Sequence, residues 1–392
     1  MTPGMIFLVV AYVLSQFYRA FLAVLSPVLA TDIGAGADDL AMASGLWFAV
    51  FATMQIPVGW ALDRIGPRLT SSVLLALGGA GGAAVMAFAQ GPGWVNVAMV
   101  LIGIGCSPVL MASYYILARD YPAPVFATFA GVILGTGTLG NIGAALPLAW
   151  AVESVGWRGT MWGLTGATLL VALLLALTVR DPAPHDGDQK GSVLDILKIP
   201  ALWPIFVIMF VNYAPAAGIR GLWIAPYLED VFNADTLRIG TASLVMGLAM
   251  IAGNLAYGPL DRVFRTRKWV VLTGNILSGL ACLSLWALPA GSEGLATLQI
   301  AAVGLFGASF PVIIAHGRSF FPPHLVGRGV TMLNLFGIGG VGIVQFASGP
   351  VYLHLSASAP DPATAYGQLF ALFGMLILAG CVVYLFSKDR TG

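Results

Sequence analysis

The sequence predicts an all-α membrane protein, with twelve transmembrane helices in two pseudo-symmetric six-helix halves. Three observations carry this expectation. Of 392 residues, 58% are apolar and only 9% are charged, against roughly 25% charged in a soluble globular chain. Twelve spans of about 20 residues fit within the length and leave only short connections. A charged block near residue 60 returns about 200 residues later. The composition excludes a soluble enzyme, a nucleic-acid binder and a disordered chain, because none of these can be built with so little polar surface. A net charge of +1 implies no bulk electrostatic partner. Cys106, Cys282 and Cys381 all fall in apolar runs and offer neither a disulfide framework nor a metal-finger spacing. No basic segment precedes the first apolar run, so no cleavable signal is expected.

Apolar runs read against turn and charge signals predict helices over 5–30, 40–62, 70–90, 95–118, 125–150, 159–179, 201–228, 238–260, 269–289, 296–317, 329–353 and 367–386. The longest polar stretch, Arg180 to Lys198, follows the sixth. Residues 1–179 are therefore expected to form one half, 180–200 a cytoplasmic linker, and 201–392 the other half. Basic residues set the orientation. If the N-terminus is cytoplasmic, the inner loops and tail hold fourteen of the eighteen Lys and Arg residues. These are Arg64 and Arg68, Arg119, Arg180, Lys190 and Lys198, Arg262, Arg265, Arg267 and Lys268, Arg318 and Arg328, and Lys388 and Arg390. Outer loops hold only Arg158 and Arg238. This bias puts both termini in the cytoplasm. Trp94, Trp157, Trp203 and Trp269 sit at span ends and are expected at the membrane interfaces.

The halves echo each other. Pro27 recurs as Pro226, Asp32 as Asp230, Asp63 as Asp261 and Pro122 as Pro322, at offsets of 198–200 residues. The first half reads Gly59-Trp-Ala-Leu-Asp63-Arg64-Ile-Gly66-Pro-Arg68, and the second Gly258-Pro-Leu-Asp261-Arg262-Val-Phe-Arg265-Thr-Arg267-Lys268. Such a block sets a carboxylate and arginines where a helix meets the cytoplasm. They can form charged hydrogen bonds to a neighbouring helix end when that side is shut, and lose them when it opens. The alternative is simple anchoring at headgroups. Two copies at the repeat distance favour gating by Gly59, Asp63, Arg64, Arg68, Asp261 and Arg262. A repeat this long suits a transporter of two halves with substrate bound near midplane between them.

The first block resembles the loop signature between the second and third helices of the major facilitator superfamily, and the second block is a degenerate copy of it. This resemblance implies twelve helices, alternating access, and a cavity lined by helices 1, 4, 7 and 10. Met99, with no basic residue nearby, stands in the stretch before Gly103-Ile-Gly105 where proton-coupled members often carry an arginine. Within the superfamily, Tyr18-Arg19-Ala-Phe-x-Ala-x-x-x-Pro27 is similar to helix 1 of the organophosphate/phosphate exchangers, which use an arginine pair on helices 1 and 7. Gly137-x-x-Gly140-Asn141-x-Gly143 is similar to the nitrate/nitrite porter signature, but the second and eighth helices here lack that family's arginines.

Arg19 and Arg220 have no loop to live in. They lie deep in the first and seventh predicted helices, 201 residues apart. An arginine at membrane depth costs at least about 2.5 kcal/mol and should face the protein interior or a water-filled cavity. The alternative is a structural arginine satisfied by helix carbonyls, or one that snorkels to the interface. All seventeen acidic residues fall in loops or at helix ends, so no carboxylate is at hand for either guanidinium. A bound anion is the cheapest counter-charge, because guanidinium forks hold carboxylate or phosphate bidentately. The same absence removes the usual Asp/Glu proton relay and favours exchange or anion-driven movement. His316, at an inner helix end, reads as a satisfied interface residue more readily than as a proton carrier. Tyr12, Gln16, Arg19 and Ser26 share one helical stripe, and Tyr213, Arg220, Trp223 and Tyr227 share another, with Trp223 one turn from the guanidinium it could stack on. Asn334 aligns with Gln345, and Trp47 with Gln55, as candidates for ordinary interhelical hydrogen bonding.

Gly135-Thr-Gly137-Thr-Leu-Gly140 is literally G-x-G-x-x-G, but no strand precedes it, so it is read as a face for close helix packing. Met246 and Met250 could offer two thioethers to Cu(I), but flexible packing is the stronger reading. No nucleophile–base set, phosphate-cradling loop or metal cluster is evident, so no catalysis and no cofactor are expected. The expectation is a monomeric secondary transporter in the bacterial inner membrane. Its partners are the lipid bilayer and a small, anionic substrate (a carboxylate or phosphate ester), with no nucleic acid. The alternatives are an importer or effluxer of a larger neutral or aromatic solute such as a vitamin or drug, then nitrate/nitrite or Cu(I) transport, or a non-transporting receptor on the same fold.

Overall fold

The computed structural model describes residues 2–144, 146–183, 193–234, 236–322 and 325–391. Among the described residues the regular structure is entirely helical. Among the described residues, twelve segments are long and apolar enough to cross a membrane. In chain order they are α1 (Pro3–Leu22), α2 (Met42–Arg64), α3 (Pro67–Ala87), α4 (Pro92–Asp120), α5 (Val125–Gly143), α6 (Pro147–Thr178), α7 (Pro200–Phe232), α8 (Arg238–Val263), α9 (Lys268–Ala287), α10 (Glu293–Arg318), α11 (Val326–Ser358) and α12 (Pro362–Tyr384). Each expected helix corresponds to one of these. The helix that contains α1 runs on to Ile33 and closes on Gly34. Residues 184–192 of the expected linker, including His185, Asp186, Asp188 and Lys190, lie outside the described residues, as do Asp235 and the side chains of Ser26 and Asp38.

Proline explains why several spans are segmented. It lacks the N–H of the helical ladder and crowds the preceding turn. The α2 helix steps at Met54, three residues before Pro57, and α4 steps at Ser107 ahead of Pro108. The α7 span breaks at Tyr213 ahead of Pro215, and α10 between Phe306 and Phe310 ahead of Pro311. Two spans contain π-helical turns, Leu75–Ala80 in α3 and Ile219–Trp223 in α7. Gly156 (φ 74°, ψ 160°) turns the chain within the helix Leu146–Thr178, inside the gap expected between 150 and 159.

The chain packs as two compact units. The first comprises Met1–Tyr121, Thr136–Val193 and Pro322–Leu335; the second comprises Pro122–Gly135, Leu194–Phe321 and Phe336–Gly392. The start of α11 thus packs with α1–α4, and the start of α5 packs with α7–α10. In the first unit, glycines of α5 lie against α1. A Cβ at Gly140 would overlap the Val13 carbonyl oxygen, and one at Gly137 would overlap the Tyr12 ring. The G-x-G-x-x-G run is therefore a packing face. In the second unit Met246 and Met250 are buried against Gly304, as flexible core filling. Trp94, Trp203 and Trp269 are exposed, as interface residues should be, but Trp157 is buried. Its indole nitrogen donates to Asp32 Oδ2 at 2.8 Å, and the Arg158 guanidinium lies 4.1 Å from its ring centroid.

Candidate functional site

The two deep arginines have different surroundings, each within its own unit. Arg19 projects from α1 onto α2, where its guanidinium carbon lies 5.0 Å from the Trp47 ring centroid and 4.9 Å from that of Phe51. Those rings stack on each other at 4.9 Å with 20° between their planes, because positions 47 and 51 are one helical turn apart. Cation–π contact of this kind contributes about 0.5–2 kcal/mol and uses the faces of the rings. It leaves the N–H groups of the guanidinium unspent. The Arg19 Nε is buried and has no hydrogen-bond partner among the described residues. No carboxylate pairs with Arg19 among them either. At Nε, therefore, no backbone carbonyl among the described residues satisfies this arginine.

Tyr12 and Gln16 lie on the same helix and are both buried. Tyr12 packs on Gly137, and the Gln16 Cβ faces Gly140. Tyr18, next to Arg19, is turned away from it, and its hydroxyl meets Thr168 Oγ1 at 2.8 Å.

Arg220 sits in the π-helical turn of α7, where the widened ladder changes the direction of its side chain. Its terminal nitrogen lies 3.4 Å from the Tyr213 hydroxyl. Trp223 turns toward α11 and α12: its indole nitrogen donates to Ser348 Oγ at 3.0 Å, and its ring packs on Tyr352 and Tyr366. Tyr227 is fully buried, with its hydroxyl given to the Pro289 carbonyl at 2.7 Å. Of the other three residues expected on this stripe, Tyr213 is hydrogen-bonded to Arg220. Trp223 and Tyr227 belong to the aromatic core that this span shares with its neighbours.

The repeated block occupies two equivalent helix crossings. In the first unit the α2 stripe Gln55, Gly59 and Asp63 lies against the start of α11. Asn334 Nδ2 donates to Gln55 Oε1 at 2.9 Å, the interhelical kind of bond expected for both residues. A Cβ at Gly59 would overlap Thr331 Oγ1. Asp63 Oδ2 lies 3.2 Å from Arg328 Nε, with both side chains at most 3% exposed. Gly66, with φ 96°, turns the loop, and Asp181 accepts the Arg68 backbone N–H at 2.8 Å. The side chains of Arg64 and Arg68 are exposed.

In the second unit Gly258 lies on Thr128 at the start of α5. Arg262 donates to Thr128 Oγ1 at 2.7 Å, and that hydroxyl donates to the Gly258 carbonyl at 3.0 Å. Asp261 pairs with Arg267 at 3.2 Å, again fully buried. Arg328 and Arg267 read from the sequence only as topology markers, and nothing there named them as carboxylate partners. A signal existed for one of them: Thr128 and Arg328 stand 200 residues apart, at the repeat distance, each facing the glycine of the block.

The C-terminal tail packs across one end of the second unit. His316 is fully buried, with Nδ1 2.6 Å from the Tyr384 hydroxyl and Nε2 2.9 Å from the Lys388 carbonyl oxygen. A carbonyl only accepts, so Nε2 carries the proton and Nδ1 accepts from Tyr384. This makes His316 an interface residue. Asp389 accepts from the backbone N–H groups of Arg267 and Lys268, both at 3.1 Å, and from the Thr266 hydroxyl. Burial pushes its carboxyl up, but these donors outweigh it and hold the group below its ordinary value.

The sequence profile described as Major Facilitator Superfamily matches residues 8–219, more than half of the chain. The chain is 24% identical over 280 residues to the uncharacterised MFS-type transporter YwfA of Bacillus subtilis (strain 168), covering 66% of this chain and 65% of that protein's length. It is 22% identical over 284 residues to the probable sulfoacetate transporter SauU of Cupriavidus necator, covering 68% of this chain and 64% of that protein. It is 25% identical over 362 residues to the multidrug efflux pump Tap of Mycolicibacterium fortuitum, covering 85% of this chain and 83% of the pump. Among solved structures, the proton:xylose symporter XylE superposes with a TM-score of 0.78 at 14% identity, covering 99% of this chain and 96% of that one. With twelve apolar spans, paired helix crossings at the repeated block and this family match, the chain belongs to the Major Facilitator Superfamily and is a multi-pass membrane transporter, not an enzyme.

Proposed function

We propose that the protein is a secondary transporter of a small organic anion, a carboxylate or phosphate ester, moved by alternating access, with Arg19 and Arg220 as its charge-bearing contacts. One observation carries this reading. The Arg19 guanidinium lies on the faces of Trp47 and Phe51, and its buried Nε has no hydrogen-bond partner among the described residues. A buried charge needs compensation, and an anionic substrate supplies it. Arg220 is supported as the second contact by its depth, its π-helical turn and its approach to Tyr213. Tyr12, Gln16, Trp223 and Tyr227 then shape and stiffen the walls. The name of SauU assigns an organic anion to that relative, which is consistent with this class.

Gating falls to the crossings of the repeated block. Gly59 and Gly258 let the helices approach, Asp63 and Asp261 anchor buried ion pairs, and Arg262 bridges to Thr128, with Arg64 and Arg68 at the headgroup level. The protein is assigned to the bacterial inner membrane as a monomer with both termini cytoplasmic, on the strength of its basic loops. With no acidic residue placed at mid-helix, exchange or anion-driven movement is favoured over carboxylate-coupled proton symport.

Uptake into proteoliposomes tests the reading. Arg19→Ala and Arg220→Ala proteins should reach the membrane folded and lose at least about 90% of anion uptake, as loss of a charge-assisted contact implies, while near-normal transport by either would overturn it. A second reading, a larger neutral or aromatic solute, is favoured by the Trp223–Tyr352–Tyr366 cluster and by the likeness to Tap. Competition by simple carboxylates and phosphate esters separates the two, since only the anion carrier is inhibited.

A further inference from the structure

We infer that Trp47 is itself a substrate-contacting residue: its indole N–H and the Arg19 Nε–H together recognise one singly charged oxyanion. This rests on the anion-transport reading above and extends it to a residue on α2 and to a charge state. Trp47 is 1% exposed, and its Nε1 has no hydrogen-bond partner among the described residues. An indole N–H is a donor only, and a buried tryptophan ordinarily gives it to an acceptor. Trp157 gives its indole N–H to Asp32 and Trp223 gives its own to Ser348, so this protein follows the rule at two other buried indoles. Leaving one unsatisfied is costly, and here a second unsatisfied buried donor, Arg19 Nε, belongs to the side chain that lies on the same ring.

The geometry suits a shared acceptor. The guanidinium carbon lies 5.0 Å from the indole centroid, so both donors belong to one side-chain contact, and the two oxygens of a carboxylate can each accept one hydrogen bond. The indole is held in position: Phe51 stacks on one face, Phe48 meets it edge-on at 82°, and Gly103 of α4 lets its backbone approach. A preset donor loses little entropy on binding.

Both donor atoms are buried, so the oxyanion is stripped of water when it binds. Desolvation rises steeply with charge, and Arg19 is the one guanidinium on this ring pair among the described residues. A monoanionic carboxylate or sulfonate fits these terms better than the dianion of a phosphate ester.

The test uses full-length protein in detergent and four probes: acetate, benzoate, methanesulfonate and glycerol 3-phosphate. Trp47→Phe keeps an aromatic face for Arg19 but removes the N–H. Its ligand-free Tm should match the parent, while the Kd for the tightest monoanionic probe rises tenfold or more. In 15N-tryptophan-labelled protein, one indole resonance should move downfield on adding that probe, and that resonance should be missing from the Trp47→Phe spectrum. If Arg19→Ala abolishes binding while Trp47→Phe binds normally and the resonance stays fixed, the inference is overturned and the anion reading stands. Tighter binding of glycerol 3-phosphate than of every monoanion overturns the charge assignment. If no probe binds the parent protein, both fall together.

Discussion

Arg328 Nε lies 3.2 Å from Asp63 Oδ2, and neither side chain reaches solvent by more than 3%. The pair joins the end of α2 to the start of α11, and Gly327 stands so close that a Cβ there would overlap Asp63 Oδ1. A buried ion pair of this kind contributes little net stability compared with an apolar replacement, yet removing one partner strands the other charge and costs about 3–5 kcal/mol. Under the proposed gating role it would act as a latch with a large penalty for partial opening.

A double-mutant cycle measures that coupling. Asp63→Asn and Arg328→Gln should each lower the Tm by several degrees. The double variant should lose clearly less than the sum, because the second change removes the charge that the first one stranded. Additive losses in thermal unfolding would mean that the two residues act separately.

The glycines of the block make a steric prediction. A Cβ at Gly258 would meet the Thr128 Cα at 2.8 Å, and one at Gly59 would meet Thr331 Oγ1 across the first crossing, closer still. Gly59→Val and Gly258→Val should therefore hold these crossings apart and cut transport at least tenfold while the protein still inserts. Accessibility of a cysteine placed at Thr331 to a membrane-impermeant thiol reagent should rise in Gly59→Val.

Packing on the α5 face predicts a graded series. Alanine at Gly140 meets the Val13 backbone, which cannot swing away, whereas Gly163 has open space around it. Overpacking costs about 1–3 kcal/mol, so Gly140→Ala should unfold earlier on heating and Gly163→Ala should match the parent.

The twelve helices and the repeated block were legible because the bilayer demands long apolar runs and tolerates charge only at their edges. Arg19 stood out for the same reason. Its shelf of Trp47 and Phe51 did not, since aromatic residues one turn apart read equally well as core. Trp223 was expected beside Arg220 at regular helical spacing, but the π-helical turn Ile219–Trp223 shifts the register between them, and hydropathy carries no trace of that turn. Arg328 was hidden because a basic residue at a helix start satisfies the topology rule by itself. Only its distance from Thr128 in the repeat marks it as a residue facing the glycine of the block.

The tail supplies a pH-dependent prediction. Asp389 caps the start of α9 through the Arg267 and Lys268 backbone N–H groups and the Thr266 hydroxyl, and these donors hold its carboxyl below the ordinary value despite burial. A group whose folded pKa is depressed binds fewer protons in the folded state than in the unfolded one. Its contribution is therefore complete above the unfolded value, about 3.9, and fades as pH falls through the lower folded value. Asp389→Asn should consequently lower the Tm by a constant amount at pH 6 and pH 7, with the gap narrowing only below about pH 4. The measurement is Tm against pH for the two proteins in one detergent. A gap that widens toward low pH would show that the carboxylate is not what secures the tail, leaving that role to the His316 bond with the Lys388 carbonyl.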